Sequence, residues 1–336
     1  MQQIMIGERE AGQRLDKFLH RHLKEAPNSL LFKMMRKKNI TLNGKRANGA
    51  EKLQTGDTVE LFFADETYAK FCGNSLAEDS QEGKLLKAGK QAFRQFRNIT
   101  VLYENDHVIF LNKPAGILSQ KSKADDLSVN EWLIGYLAQK GEADRAGLAQ
   151  FRPSVCNRLD RNTSGIVICG KSLYGSQIMS RMLKDRSLHK YYRLYVEGCM
   201  EKGQRIEGYL KKDAKSNIVT ISEEEQPDRV RIVTEYRPIA WQDHGERDRT
   251  TLVEVELITG KTHQIRAHLS SIGYPLVGDA KYGNPELNRM RRKKYGINYQ
   301  LLHAYRIEFP VMEGKLSDLS QKVITSSLPE LFGRLR

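Results

Sequence analysis

The chain has four cysteines among 336 residues, and Cys72, Cys156, Cys169 and Cys199 never fall at the Cys-x-x-Cys spacing of a zinc site or a redox pair. The first residues, MQQIMIGEREAGQRLDKFL, lack the basic-then-apolar order of a secretion signal. The thiols are therefore expected to be reduced, with Cys169 in the core run IVICG. No apolar stretch approaches the roughly 20 residues that span a bilayer. That argues against a membrane protein and sets the cytoplasm as the expected location. Neither a GxGxxG nor a Walker-type loop is present, so no nucleotide cofactor is expected. His263 and His268 are five apart, off one helical face and without the acidic partner of a zinc-protease helix, so no metal is expected either. There is no internal repeat and no low-complexity tract.

What the sequence has in excess is positive charge. Lys and Arg number 55 against 41 Asp and Glu, a net +14. An excess of this size attracts polyanions and points to nucleic acid or an acidic membrane surface. With 39% hydrophobic and 29% charged residues the composition is that of a folded protein, long enough for two domains.

The charge is not spread evenly. From Arg14 to Phe63 there are eleven Lys and Arg against five Asp and Glu. In RLDKFLHRHLKE the apolar Leu15, Phe18, Leu19 and Leu23 recur at helical spacing and leave Arg14 and Lys17 on other faces. A second short helix, with Leu31, Met34 and Met35 as its stripe, ends in Arg36-Lys37-Lys38. ITLNGKRA follows, where Asn43-Gly44 signals a two-residue hairpin turn just before Lys45 and Arg46. A charge run is usually a solvated face. Here the cations gather at one helix end and the adjoining turn, which is how a phosphate-contacting surface is built. Residues 65–98 lack periodicity and are read as a linker with one short helix.

Beyond the linker, NITVLYE and HVIFLNK suggest a hairpin, and SGIVICGK, KYYRLYVEG, RIVTEYRPIA, TTLVEVELIT and LLHAYRIEFP read as strands. The stretches 172–188 and HQIRAHLSSIG read as helices, the second closed by Gly273. ELNRMRRKKYG is a basic surface insertion. Strands predominate in an irregular order, which indicates an α+β fold with a largely antiparallel sheet.

CNRLDRNTSG places Asp160 between Arg158 and Arg161 at the edge of an apolar strand. A lone aspartate between arginines is more often one partner of an ion pair than a catalyst. The flanking arginines favour its ionised form, which suits a nucleophile or base better than an acid. Ser164 lacks the elbow sequence of a serine nucleophile and is read as structural.

The helix–helix–turn–strand pattern of the first domain, with RLDKFL, the basic helix end and TLNGKR, resembles the alpha-L RNA-binding domain. Further on, LNKPAGI, NRLDRNTSGIVI, KYYRLYVEG, ITGKTHQIRAHLSSIGYPLVGDAKYG and LLHAYRIEFP stand in the order seen in the RluA family of pseudouridine synthases. The catalytic-domain match runs from about residue 99 to 312, and an alpha-L domain ahead of it is similar to the members acting on large-subunit ribosomal RNA. The resemblance implies an alpha-L domain over 1–64, a linker over 65–98 and a catalytic domain over 99–336 whose mixed, mostly antiparallel sheet is flanked by helices. It implies Asp160 as catalytic aspartate, Tyr192 of the K-x-Y motif against the target base, and Arg266 paired with the aspartate. Arg158 would fill the gap left by the flipped nucleotide, and Arg161 and Asn157 would contact RNA. Asn157 and Asn162 stand where the family usually has His and Asp. Tyr191, adjacent to Tyr192, is read as a strand side chain.

The chemistry fits those residue types. Isomerising uridine breaks a glycosidic bond, turns the uracil and rejoins it through carbon 5, with no redox change, phosphoryl donor or metal. One ionised carboxylate suffices, attacking the ribose or removing a ribose proton. A base must leave its helix to react. The expected partner is RNA, with no membrane and no small-molecule cofactor, bound by a monomer. A non-catalytic RNA-binding assembly factor and a synthase acting on transfer RNA are the alternatives; a retaining glycosidase would want a second carboxylate. Deleting residues 1–64 is expected to weaken binding to structured RNA and to flatten its salt dependence, measured as the slope of log affinity against log salt. Equal affinity and slope in the truncated protein would refute that role for the N-terminal unit.

Overall fold

Alternating apolar side chains sort the chain around separate cores, seen in a computed structural model that describes residues 1–7, 10–72, 80–213, 218–245 and 248–335. The first core belongs to the N-terminal stretch. It comprises β1 (Gln2–Met5), α1 (Leu15–His22), α2 (Asn28–Arg36), β2 (Ile40–Leu42), β3 (Lys45–Arg46) and β4 (Thr58–Leu61), with the strands paired in the order β1-β4-β2-β3. Helix α1 buries Leu15, Phe18 and Leu19 and α2 buries Leu31 and Met35, each at three- and four-residue spacing, against Ile40, Val59 and Leu61 of the sheet. Asn43 and Gly44 both take positive φ, 52° and 70°, as the tight β2–β3 hairpin requires.

The stretch 65–98 departs from the single short helix expected of it. It carries two helices, α3 (Asp65–Cys72) and α4 (Gln81–Gln95), and the expected linker also runs through 73–79, which lie outside the described residues. Ser80 caps α4, its hydroxyl accepting from Gly83 N at 3.0 Å. Helix α4 is held by close backbone contact with α5 (Val129–Gln139). A Cβ on Gly135 would stand 2.1 Å from the carbonyl oxygen of Gly89, so only glycine fits at this crossing. Two glycines and four Lys or Arg side chains disguise the helix in sequence, yet one of those glycines, Gly89, is what lets it pack. Glu82, 1% exposed, takes Lys24 Nζ of the N-terminal unit at 2.5 Å and Arg152 Nη2 at 3.0 Å. Arg21 donates to the Gln150 carbonyl at 2.9 Å beside them.

The rest of the chain builds one large sheet. Its elements are β5 (Thr100–Glu104), β6 (Val108–Lys113), α6 (Arg145–Gln150), β7 (Ser154–Val155), β8 (Ser164–Gly170), α7 (Leu173–Asp185), β9 (His189–Glu197), β10 (Gln204–Lys212), β11 (Val219–Ser222), β12 (Val230–Asp243), β13 (Arg249–Glu256), α8 (Gln264–Ser271), α9 (Pro285–Tyr295), β14 (Leu302–Glu308), β15 (Val323–Thr325) and α10 (Glu330–Gly333). Among the described residues it has eleven strands in the order β11-β10-β12-β13-β9-β14-β8-β6-β5, with β15 on β14 and β7 on β8. The α+β class read from the sequence is the architecture found.

Strand alternation assigns the two faces. Ile109 and Leu111 of β6, Val167 and Cys169 of β8, and Tyr192 and Leu194 of β9 share one core with α5 and with Ile265 and Leu269 of α8. Val108, Phe110, Ile166 and Ile168 face the other way, onto Met179 and Met182 of α7. Among the named strands, pairing is antiparallel except at the seam between β14 and β8, where His303 aligns with Ser164 and Ala304 with Gly165. Gly165 has φ +108°, and a Cβ there would lie 2.2 Å from the Ala304 oxygen. The seam is also bonded through side chains, Ser164 Oγ and His303 Nδ1 being 2.8 Å apart and buried. That accounts for Ser164 as a structural hydroxyl, as its sequence context suggested.

Replacing Gly135 by alanine forces α4 and α5 apart and is expected to destabilise the protein by about 1–3 kcal/mol. Urea unfolding measures it, and an unchanged midpoint would show that the helices do not meet backbone to backbone.

Candidate active site

The loop 156–163 runs from β7 into β8, beside the parallel seam, and is pinned from several sides. Leu159 N donates to Ser119 Oγ and that hydroxyl returns a bond to Leu159 O, both at 2.9 Å. Gly116 N donates to Arg161 O at 2.9 Å. Lys113, fully buried at the end of β6, donates from Nζ to the carbonyls of Ile117 at 2.8 Å and of Pro114 and Arg161 at 3.0 Å. Burial pushes this amine down to about 7, against the pull of the Asp160 charge. Three carbonyl dipoles thus hold a lysine under the loop, and the lysine holds the loop. The Asn157 amide is committed to the same task, accepting from Ile168 N at 2.8 Å and donating to Ile166 O at 3.5 Å. Offered by the sequence as an RNA contact, its side chain is turned to the backbone of β8.

From this loop Asp160 extends a carboxylate that is 29% exposed. Its Oδ2 accepts from Arg266 Nη1 at 2.9 Å and lies 3.6 Å from His263 Nε2. Among the described residues, no protein donor reaches Oδ1. Arg266 is nearly buried on α8, and its other edge is gripped by Asp279, Nε to Oδ2 at 2.6 Å and Nη2 to Oδ1 at 2.8 Å. Burial works against the charge of Arg266, but the two carboxylates outweigh it and keep the guanidinium ionised. Burial would likewise raise Asp279; the bonds from Arg266 and from the Lys281 and Tyr282 amides reverse this and hold it below its ordinary value. His263 Nδ1 meets the Tyr282 hydroxyl at 3.0 Å, the Tyr282 ring lies 5.3 Å from the Arg266 guanidinium, and burial keeps His263 below its ordinary pKa.

Tyr192 comes off β9 on the face that carries Leu194 and Val196, and is 7% exposed. Burial, reinforced by the nearby Asp160 charge, raises its phenol, so the ring stays neutral. Tyr191 points to the opposite face, its hydroxyl 3.3 Å from Glu308 and its ring 4.0 Å from the Arg306 guanidinium. The structure therefore brings together Asp160, Arg266 and Tyr192 from three distant segments. Arg158 and Arg161 flank Asp160 as exposed side chains. Lys17, Arg36, Lys37, Lys38, Lys45 and Arg46 are likewise exposed on the N-terminal unit, whereas Arg14 is paired with Asp16 at 2.8 Å.

Sequence reading missed four supporting side chains. Asp279, Lys113, Tyr282 and His263 were not given these roles, although a lysine closing the apolar strand VIFLNK and a buried-looking aspartate in VGDAKYG are visible signals. Among the described residues no cluster of three or more His, Cys, Asp or Glu could hold a metal. Among the described residues, the arrangement centres on a partly exposed carboxylate with one oxygen held by arginine and no protein donor on the other. Such a group can act as nucleophile or as base.

A family model described as RNA pseudouridylate synthase matches residues 107–271, a span that includes Asp160, Tyr192 and Arg266. The ribosomal large subunit pseudouridine synthase C of Haemophilus influenzae is 30% identical over 313 residues, 91% of this chain and 86% of that protein. Its namesakes in Escherichia coli (strain K12) and Vibrio cholerae are each 29% identical, covering 91% and 94% of this chain and 88% and 91% of their own lengths. Among solved structures, human RNA Pseudouridylate Synthase Domain Containing 4 has the same fold, with a TM-score of 0.57 at 19% identity over 73% of this chain and 94% of that one. Domain Containing 1 superposes with a TM-score of 0.51 at 21% identity over 71% and 95%. Agreement over nine-tenths of the sequence, on a shared fold, leaves one assignment: the chain belongs to the RNA pseudouridylate synthase family.

Proposed function

We propose that this synthase isomerises uridines of large-subunit ribosomal RNA, with Asp160 as the catalytic carboxylate. The observation that carries the reading is the state of Asp160, anchored through Oδ2 to Arg266 while Oδ1 has no protein donor among the described residues. Attack on the anomeric carbon and removal of a ribose proton both need one free, ionised carboxylate oxygen beside the sugar. Arg266 orients that carboxylate through its hydrogen bond to Oδ2. Tyr192, neutral and rigid on β9, offers a ring to the extracted uracil. Arg158 takes the place the base vacates, and Arg161 meets the backbone beside it.

The ribosomal target rests on the relatives, whose names place them on the large ribosomal subunit and which align over nine-tenths of this chain. A synthase acting on transfer RNA remains the competing reading; a non-catalytic binder would have no use for the Asp160–Arg266–Tyr192 arrangement. Residues 1–64 are the RNA-binding domain in this account, their exposed Lys17, Arg36, Lys37, Lys38, Lys45 and Arg46 facing phosphates. Residues 99–336 are the catalytic domain, working as a monomer in the cytoplasm. Among the described residues no helix is long and apolar enough to cross a membrane.

Tritium release from carbon 5 of labelled uridine in a large-subunit ribosomal RNA transcript tests the reaction. Wild type is expected to release it, and Asp160→Asn to lower the rate by at least about a hundred- to ten-thousandfold. Release by the variant at the wild-type rate, or none by wild type, overturns the assignment. Asp279→Asn removes the inner carboxylate from a buried pair and is expected to cost about 3–5 kcal/mol at pH 7. Asp279 has a depressed folded-state pKa, so its contribution is present above the ordinary aspartate range and fades as pH falls through the folded value. The stability gap between wild type and variant, followed by urea titration from pH 7 downward, should narrow accordingly; a gap independent of pH would contradict the pairing.

A further inference from the structure

Lys190 is an amine without a counter-ion next to the reaction centre. It lies two residues before Tyr192 on β9 and so projects to the same face, about 7 Å along the strand. Its Nζ reaches the loop before α8, 3.8 Å from where a Cβ on Gly260 would stand. The side chain is half-buried. Among the described residues no carboxylate pairs with it and no hydrogen-bond acceptor meets it; the charged neighbour acting on it is a second cation, Arg186, exposed at the end of α7. Other cations near the centre are treated differently. Arg266 has two carboxylates and Lys113 has three carbonyls, while Arg291, buried elsewhere, has Glu197 and Asp248. Burial and the like charge of Arg186 both hold the Lys190 amine below its ordinary pKa.

A half-buried cation without an anion among the described residues, with a second, exposed cation four residues before it in the chain, is an arrangement that an anion would complete. We propose that Lys190 and Arg186 form a phosphate subsite that takes a backbone phosphodiester of the RNA strand next to the uridine reacting at Asp160. This deepens the pseudouridine reading and rests on it for the identity of the strand. A phosphodiester offers two non-bridging oxygens, one for the ammonium and one for the guanidinium. Tyr192 and Lys190, one row apart on a rigid strand, would hold the base and a phosphate of the same stretch of RNA. The role is binding and positioning, with no part in bond breaking.

The test uses the full chain, with filter binding of an in vitro large-subunit ribosomal RNA transcript across a salt series and single-turnover tritium release. Lys190→Met keeps the length and removes the charge. It is expected to weaken binding several-fold, to flatten the salt slope by about 0.7–0.9, and to appear in the half-saturating RNA concentration rather than in the rate at saturation. Lys190→Arg is expected to restore the slope, and Arg186→Gln to give a smaller loss of the same sign. Lys190→Gln, a polar replacement, stands in should the methionine variant fail to fold. An unchanged affinity and slope in Lys190→Met overturns the subsite. So does a lower rate at saturating RNA with wild-type binding, which would assign the amine to the reacting base. Failure of the pseudouridine reading is separate, since wild type would then release no tritium whatever the binding slopes of the variants.

Discussion

The site depends on one guanidinium with two carboxylates. Arg266 is nearly out of water, a position an arginine keeps only when its charge and its donors are answered. Asp279, more deeply buried, answers two of those donors and fixes the plane of the fork. The remaining nitrogen has one direction left, and Asp160 lies in it. The inner pair is thus the fixed reference, and the outer aspartate is aligned by it. Splitting the work between two acids lets one carry the structural burden of neutralising the arginine, so that the other keeps an oxygen open.

The sheet supplies the frame for that alignment. Asp160 sits on the loop entering β8, Tyr192 on β9 and Arg266 on α8, and β14 lies between β8 and β9. The parallel contact of β14 with β8 brings the two antiparallel halves together, and Gly165 allows the backbones to close there. Lys113 and Ser119 then tie the loop to the chain leaving β6, so the position of Asp160 is set from both ends of its loop.

Much of this was legible. The K-x-Y resemblance singled out Tyr192 over Tyr191, and the two rings lie on opposite faces of β9; the Asn43-Gly44 turn and the apolar stripes of α1 and α2 lie where periodicity placed them. What was not legible is long-range. Nothing local in VGDAKYG says that Asp279 meets an arginine thirteen positions earlier, and a lysine in VIFLNK looks solvent-bound until the strand is seen to lie buried between β8 and β5. Helix α4 was hidden for a local reason. Gly83 and Gly89 argue against a helix by propensity, whereas Gly89 meets the backbone of Gly135 in packing that a single segment cannot reveal. Asn157 was read for its polarity, while its amide is spent on the backbone of β8.

The glycine crossing of α4 and α5 has a mechanical meaning. Because α4 lies flush on α5 and Glu82 at its start grips both Lys24 and Arg152, the basic unit is not hung on a string. Arg152 stands eight positions before Asp160, so the same carboxylate touches the segment that leads into the Asp160 loop. In the function proposed above, RNA held at the basic unit would be presented to Asp160 at a set offset, as between the jaws of a gauge. Such a gauge would measure the distance from a folded landmark to a uridine rather than the letters in between.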